Sequence, residues 1–328
     1  MSRQVEIGDD VSLAASKITE GKLVAIPTET VYGLAADALN PLAVARIFEA
    51  KQRPKFDPLI VHIATQDALG SITENVPAII QQLIDQFWPG PLTVVLPKKD
   101  CVPDLVTSGL ETVAVRMPDH PLALQLIQQS GKPLAAPSAN LFGRTSPTTA
   151  LHVADQLEEH LAYILDGGPC KVGIESTIVG MNEDRLMLLR PGGVTTEQIE
   201  TLLGQGMVTN PDSKDKPGNS PIVPGQLKEH YAPLTHLTIA DKPCRPDGYQ
   251  RVGLLTLQQT ESVDQNLAYS FEVVEELSKT GNLTEAASNF FAAIRRLDAG
   301  SLDLIVATPF PSQGLGIALN DRLNRAAR

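Results

Sequence analysis

The segment KLVAIPTETVYGLAADALNPLAVARIFEAKQRPKFDPLIVHIA, residues 22–64, contains the alternation that decides the fold. Its first apolar run, KLVAIPT at residues 22–28, predicts a buried strand. Residues 41–53 predict a helix, because a proline opens the first turn and Pro54 ends it. The next apolar run, LIVHIA at residues 59–64, predicts another strand. Strands and helices that alternate in this way indicate an α/β protein.

The alternation continues outward from this segment to about residue 200. Apolar residues between Ile79 and Phe87 recur at helical spacing, which predicts an amphipathic helix. Further strands are predicted at residues 92–97, 112–118, 133–139, 162–168, 176–181 and 185–191. Strands dominate, with helices between many of them, so we predict an α/β fold with a mixed sheet.

The pattern breaks at residues 205–233, which hold five prolines and three glycines. This composition indicates a linker, and loops of such length are usually tethers or functional lids. A second unit follows, with strands predicted at 251–257 and 302–310 and helices at 284–297 and 316–328. We expect a domain at residues 1–207, a linker at 208–233 and a small C-terminal α/β domain with a parallel sheet at 234–328.

The composition excludes several classes of protein. With 42% hydrophobic and 20% charged residues, the chain is not wholly disordered. No run approaches the about 18 apolar residues of a membrane span, and the N-terminus lacks the apolar core of a signal peptide. Cys101, Cys170 and Cys244 are scattered without a CxxC pair, which disfavours disulfides or a zinc site. We therefore expect a cytoplasmic protein without a membrane anchor.

The net charge of −11 disfavours direct, stable binding of nucleic acid, since proteins that do this are usually basic. Any polyanion must meet a local basic cluster, and residues 51–55, KQRPK, are one. These cations can simply offset the dipole of the predicted helix that ends there. They can also bind phosphate, with Arg53 as a planar fork and Lys51 as a point charge. Neither a P-loop nor a GxGxxG motif is present.

Other features also allow both a structural and a functional interpretation. The APSAN stretch at residues 136–140 is either a turn or a place where a ligand approaches the backbone. Arg116 is either a surface or ion-paired residue or a bidentate partner for a substrate carboxylate. His62 is either a hydrogen-bonded core residue or part of a site. The HYAP sequence at residues 230–233 ends the linker, and Tyr231 can simply anchor it.

Taken together, these motifs resemble those of the YrdC-type L-threonylcarbamoyladenylate synthases. In chain order the motifs are PTETVYGL (27–34), KxRP (51–54), PLIVH (58–62), SxN (138–140), ESTIV (175–179) and LRPG (189–192). The HYAP-bearing linker and the C-terminal domain resemble the longer, two-domain branch of that family. The resemblance therefore covers essentially the whole chain.

The resemblance implies a twisted α/β sheet around a basic cavity, followed by a small Rossmann-like domain. It implies that Lys51 and Arg53 are catalytic through their charge. The implied ATP-binding residues are Lys51, Arg53, Asp57, Thr112, Ser138, Asn140, Ser146, Arg190, His230 and Tyr231. The implied L-threonine-binding residues are Thr30, His62, Arg116, Ser176 and the backbone at Ala136.

The implied reaction joins L-threonine, bicarbonate and ATP into L-threonylcarbamoyl-AMP and pyrophosphate, for the threonylcarbamoyl modification of adenosine in tRNA. The nucleophile is the N-carboxylate of threonine, so positioning and charge stabilisation suffice without a catalytic triad. Mg²⁺ is implied as a cofactor that is held through ATP. A downstream threonylcarbamoyltransferase complex is an implied partner, and a linker closing over the cavity would exclude water.

Two residues depart from the family pattern. Asp57 stands where most relatives carry asparagine, and an acid there would repel phosphates unless it faces Mg²⁺ or the adenosine. Val223 stands where a small residue is commoner, which we expect to matter little. The alternatives are an RNA-binding module without turnover, a related domain of hydrogenase maturation, and an inactive paralogue. The acidic charge disfavours the first, the lack of CxxC pairs the second, and the intact Lys-x-Arg and Ser-x-Asn motifs the third.

Overall fold

The computed structural model describes residues 5–183, 185–209, 223–224, 230–258 and 271–327. Over these residues the chain forms two compact units. The first comprises Met1–Phe142, Pro147–Lys171 and Glu175–Gln226, and the second comprises Gly143–Ser146, Val172–Ile174 and Leu227–Arg328. Most of the expected linker lies outside the described residues.

The first unit is built on a mixed sheet. Its strands are β1 (Ile7–Gly8), β2 (Val24–Ile26), β3 (Gly33–Asp37), β4 (Ile60–His62), β5 (Leu92–Pro97), β6 (Thr112–Arg116), β7 (Leu134–Ala135), β8 (Tyr163–Leu165), β9 (Thr177–Asn182), β10 (Arg185–Arg190) and β11 (Val208–Thr209). Their order is β1-β8-β2-β3-β7-β4-β6-β5-β9-β10-β11. β4 and β6 are parallel whereas β5 and β6 are antiparallel, so the predicted mixed sheet is confirmed.

Helices connect these strands. They are α1 (Val11–Thr19), α2 (Pro41–Lys51), α3 (Leu69–Ile72), α4 (Ala78–Phe87), α5 (Asp104–Thr107), α6 (Pro121–Ser130), α7 (Ala150–Leu157) and α8 (Thr196–Leu203). The α2 helix begins after Asn40, whose side chain accepts hydrogen bonds from the backbone N–H groups of Leu42 and Ala43. Its predicted end at Arg53 was wrong by two residues, because Gln52 adopts a left-handed φ of 53°.

The strands are shorter than the apolar runs that predicted them. The run at residues 22–28 forms a strand only over Val24–Ile26. It ends before Pro27, because proline has no N–H group for a ladder hydrogen bond. The run at residues 59–64 likewise forms a strand only over Ile60–His62.

The middle of the sheet has two unlike faces, because side chains alternate along each strand. One face packs into the main hydrophobic core through residues that include Val61, Val94, Val113, Val115 and Val179. On the other face Ile60, Ala114 and Ile178 form a small apolar cluster with Val223. Strand register then places the buried polar residues His62 and Thr93 beside Arg116 on that same face.

The second unit is a smaller α/β domain. Its strands are β12 (Leu237–Ile239), β13 (Val252–Thr256), β14 (Val273–Glu276) and β15 (Leu304–Ala307), in the order β12-β15-β13-β14. All the pairs are parallel, as predicted. The helices α9 (Leu283–Ala299) and α10 (Leu315–Ala326) correspond to the two that the sequence predicted. Across the described residues, no helix is both long and apolar enough for a membrane span.

Candidate active site

Lys51, the last residue of α2, joins the Lys-x-Arg and Ser-x-Asn motifs. Its Nζ donates hydrogen bonds to the carbonyl oxygens of Ser138 and Asn140, each at 2.5 Å. The side chain is only 1% exposed. Burial, with the nearby charge of Arg53, holds the pKa of Lys51 well below its usual range. The protonated form of Lys51 therefore has to be stabilised by the hydrogen-bond acceptors and anions around it.

Arg53 is held by a buried acid four residues later. Its Nη2 lies 2.8 Å from Oδ2 of Asp57, and its Nε donates to the Asp57 carbonyl at 3.1 Å. Asp57 is fully buried, and burial raises the pKa of its carboxyl group. The charges of Arg53, Lys51 and Arg190 act in the opposite direction. Asp57 thus contacts Arg53 directly, while the charges of Lys51 and Arg190 favour its ionised form.

The Ser-x-Asn loop is held against the PTETVYGL segment by backbone hydrogen bonds. Gly33 and Ser138 form an antiparallel bridge, and the N–H of Ala139 donates to the Tyr32 carbonyl at 2.8 Å. A Cβ atom on Gly33 would lie 3.2 Å from the Cβ of Ala136. The small residues Gly33 and Ala136 therefore allow the two backbones to pack closely. Ala136, whose backbone is predicted to contact L-threonine, donates its N–H to the Ile60 carbonyl of β4.

Arg116, the last residue of β6, has a partner for each part of its guanidinium group. Its Nε donates to the Gly90 carbonyl at 3.1 Å, and its Nη1 donates to Oγ1 of Thr30 at 2.8 Å. Its Nη2 lies 2.5 Å from Oε1 of Glu29. Thr30 in turn lies 2.8 Å from the hydroxyl of Thr28. Glu29 was not among the site residues predicted from the sequence, although its place between two motif threonines was a signal.

His62 lies opposite Arg116 in the register of β4 and β6. The side chain is buried, and its Nδ1 has no hydrogen-bond partner among the described residues. Burial first, and then the charge of Arg116, lower the pKa of His62 to about 3. The imidazole is therefore neutral at neutral pH, when it can donate one hydrogen bond and accept another.

Ser176 and Arg190 extend the site along the sheet. The hydroxyl groups of Ser176 and Thr93 are 2.7 Å apart, and Nη2 of Arg190 donates to the Ser176 carbonyl at 2.8 Å. Nη1 of Arg190 donates to the Pro224 carbonyl at 3.1 Å. The neighbouring Val223 is fully buried in the small apolar cluster, and the expectation that this residue matters little stays a prediction.

The remaining predicted residues fall in two places. Thr112 begins β6 and is partly exposed on the face that carries Arg116. Ser146, His230 and Tyr231 belong to the second unit. Tyr231 is 1% exposed there, with its ring centroid 5.4 Å from that of Phe291 and its carbonyl accepting from Thr145 at 3.3 Å. The predicted contacts of these three residues with ATP stay predictions.

No group of three or more His, Cys, Asp or Glu side chains in the described part of the chain is placed to hold a metal ion. The site instead presents two kinds of polar cluster on the first unit. Arg53 pairs with the carboxylate of Asp57, and the charges of Lys51 and Arg190 also act on it, which suits a phosphate-bearing ligand. Glu29, His62 and Arg116 form a mixed cluster of opposite charges around a neutral imidazole, which suits a small polar ligand.

Models of known protein families match both units of the chain. Residues 16–192 match the Sua5, YciO and YrdC family model described as Telomere recombination. Residues 194–328 match the model described as Threonylcarbamoyl-AMP synthase, C-terminal domain.

Two similar proteins bear the name threonylcarbamoyl-AMP synthase. The one from Bacillus subtilis is 45% identical over 329 residues, which cover 97% of this chain and 92% of the relative. The one from Pyrococcus abyssi is 42% identical over 320 residues, which cover 97% and 94%. The crystal structure of P. abyssi Sua5 complexed with L-threonine matches with a TM-score of 0.85 and 37% identity, covering 98% of this chain and 97% of that chain.

Proposed function

The chain belongs to the Sua5/YrdC family of threonylcarbamoyl-AMP synthases, and we propose that its first unit holds L-threonine and ATP on the polar face of the sheet. The family, the fold class and the nucleotidyltransferase activity predicted from the sequence are confirmed. The roles of individual residues, the cofactor and the partners are part of the proposal.

One observation supports the proposal most. Four basic side chains, those of Lys51, Arg53, Arg116 and Arg190, are all at most 6% exposed in the first unit of a protein whose net charge is −11. Burying a positive charge is costly unless it is paired and hydrogen-bonded, and a bound anion supplies such pairing. The proposed substrates carry two anionic groups, the carboxylate of L-threonine and the polyphosphate of ATP.

L-threonine would bind at the Arg116 end. Arg116 would hold its carboxylate, Thr30 would support that arginine, and the neutral His62 would hydrogen-bond the substrate. Ser176 and the backbone at Ala136 would complete the pocket. The complex of the P. abyssi relative with L-threonine supports this choice of amino acid.

ATP would bind at the Lys51 end. Lys51 and Arg53 would neutralise charge that develops on the phosphates, with Arg190 beside them. Thr112, Ser138, Asn140 and the carbonyl groups around them would contact the rest of the nucleotide. Ser146, His230 and Tyr231 are assigned to ATP by resemblance. Mg²⁺ would enter as part of the ATP substrate, where it supplies further positive charge to the phosphate oxygens.

The proposed reaction has two parts. The threonine amine combines with bicarbonate to give an N-carboxylate and water. The N-carboxylate oxygen then attacks the α-phosphorus, and the bond to pyrophosphate breaks. The protein contributes positions and charge, and the water-labile intermediates explain why the polar groups are buried. The product would pass to a threonylcarbamoyltransferase complex acting on tRNA in the cytoplasm.

The direct experiment measures pyrophosphate release by purified protein with ATP, Mg²⁺ and bicarbonate, with and without L-threonine. Mass spectrometry of the same reaction should detect threonylcarbamoyl-AMP. Release that needs both threonine and bicarbonate is the expected result. Folded protein that releases no pyrophosphate under these conditions would refute the proposed chemistry.

A further inference from the structure

An acid without a role in the proposed site lies at its amino-acid end. Glu29 is 4% exposed and sits between Thr28 and Thr30 in the PTETVYGL segment. One of its oxygens, Oε1, lies 2.5 Å from Nη2 of Arg116. Burying a carboxylate so deeply costs a large free energy unless the group is paired and hydrogen-bonded.

The other carboxylate oxygen of Glu29, Oε2, indicates where a ligand would bind. Within the described residues, neither carboxylate oxygen of Glu29 forms a hydrogen bond, although Oε1 lies 2.5 Å from Nη2 of Arg116, and Nδ1 of His62 has no hydrogen-bond partner either. Buried polar atoms in folded proteins nearly always have a hydrogen-bond partner. Oε2 of Glu29 and Nδ1 of His62, which have none beside the same arginine, therefore mark the place of a ligand. Both atoms belong to residues that flank Arg116.

Arg116 also keeps donors for a ligand. A guanidinium group has five N–H donors. The contacts with Gly90 and Thr30 use two of those donors, and Nη2 lies 2.5 Å from Oε1 of Glu29 without forming a hydrogen bond. The arginine can therefore stay paired with Glu29 while it binds a carboxylate.

These groups match the two charges of an amino acid. An α-amino acid carries an ammonium and a carboxylate group on the same carbon, and Glu29 and Arg116 present opposite charges in direct contact. We infer that Glu29 binds the α-ammonium group of the amino-acid substrate through Oε2, while Arg116 binds its carboxylate. The inference rests on the proposed function, since it concerns the same pocket. It makes Glu29 a substrate-binding residue that orients the amine which is to be carboxylated.

The competing role for Glu29 is that of a counter-ion which only orients Arg116. The two roles differ for a ligand that lacks the amine. (R)-3-Hydroxybutanoate has the carboxylate and hydroxyl groups of L-threonine but no ammonium group. If Glu29 only orients Arg116, Glu29→Gln weakens binding of both ligands equally. If Glu29 binds the ammonium group, the variant weakens only L-threonine.

The experiment is a titration of wild type and Glu29→Gln with each ligand, followed by ligand-observed NMR at up to tens of millimolar. We expect Glu29→Gln to lose about 10- to 100-fold in affinity for L-threonine, as for a buried charge-assisted hydrogen bond. Its affinity for (R)-3-hydroxybutanoate should stay within about twofold of wild type or increase. Glu29→Asp, which keeps the charge, should recover part of the loss.

Asp37→Asn is the matched control. Its carboxylate is 7% exposed in the same unit, but it accepts from the Leu39 N–H and pairs with Lys132 instead. Circular dichroism checks that all variants fold. An equal loss for both ligands, or unchanged L-threonine affinity in folded Glu29→Gln, would overturn the inference. If wild type binds the analogue too weakly to measure, L-threoninol, which keeps the ammonium group but lacks the carboxylate, replaces it: Glu29→Gln should weaken its binding, and unchanged binding would mean that Glu29 only orients Arg116. Wild type that binds no L-threonine would instead contradict the proposed function.

Discussion

Asp57 lies with its Oδ2 atom 2.8 Å from Nη2 of Arg53, and both side chains are almost completely buried. The charges of Arg53, Lys51 and Arg190, to which a phosphate ligand is proposed to bind, all act on this acid. The protein therefore carries its own anion where the substrate anion is expected, and the two compete for the same charges.

Asp57→Asn should consequently tighten ATP binding. At an effective dielectric constant of about 20, a charge about 5 Å away contributes on the order of 3 kcal/mol, and local screening reduces this. We expect the Kd for ATP to fall about tenfold, as measured by calorimetry at low and moderate salt. Asp37→Asn removes a buried charge elsewhere and should leave the Kd within about twofold. ATP binding that is weaker in Asp57→Asn would mean that the acid assists the nucleotide.

Arg53→Ala should abolish pyrophosphate release and also destabilise the fold. Removing one partner of a buried pair leaves an uncompensated charge, which costs about 3–5 kcal/mol. Adding Asp57→Asn should restore much of the free energy of unfolding, as measured with urea, but none of the turnover. A folded double variant with the wild-type rate would remove Arg53 from the proposed phosphate site.

Arg116→Lys should raise KM for L-threonine about 10- to 100-fold, because an ammonium group cannot replace the planar fork that binds a carboxylate with two hydrogen bonds. The KM for ATP should change little, since Arg116 lies at the other end of the site. Steady-state pyrophosphate release with each substrate varied measures both. Equal changes in the two KM values would point to a general structural defect.

His62 should make the fold less stable as the pH falls. Its folded pKa is lowered to about 3 from 6.5, so between these values the unfolded chain binds a proton that the folded chain does not. Stability then falls by about 1.4 kcal/mol per pH unit below pH 6.5, or about 2 kcal/mol between pH 6.5 and pH 5. Urea unfolding at pH 7, 6 and 5 should show this extra loss in wild type relative to His62→Gln. Parallel pH profiles in the two proteins would exclude a buried neutral imidazole.

Val223→Cys tests the burial of the described linker residue. In a protein with Cys101→Ser and Cys244→Ser, the new thiol should react with a thiol reagent at least about tenfold more slowly than the exposed Cys101 and Cys244 of the wild type. Cys170 is buried in both proteins and provides a slow reference. Labelling at the rate of an exposed cysteine would show that Val223 does not stay on the sheet.

Much of the fold could be predicted from local pattern. Apolar runs located ten of the fifteen strands in the described residues but not β1, β3, β11, β12 and β14, and the helical spacing of apolar residues located α4. The α1, α3, α5, α6, α7 and α8 helices were not predicted, and in α1 small alanines make up half of the buried face. The strand register that aligns His62 with Arg116 depends on pairing between distant segments, which local sequence does not reveal.

The residues of the candidate site were predicted from motifs, but the ion pairs among them were not. Glu29 was overlooked because an acid in a polar segment usually faces solvent, and only the tertiary contact with Arg116 shows that it is buried. For Asp57, sequence showed that the residue was unusual but not that it pairs with Arg53. For Val223, the packing partners come from three separate strands.

The two faces of the central sheet have a consequence for how this sequence can vary. In β6, Val113 and Val115 face the core while Ala114 and Arg116 face the site. An insertion or deletion of one residue within that strand would exchange the two sets and drive a guanidinium group into aliphatic packing. Homologous chains should therefore tolerate length changes in the loops around β6, while within the strand they diverge by substitution alone.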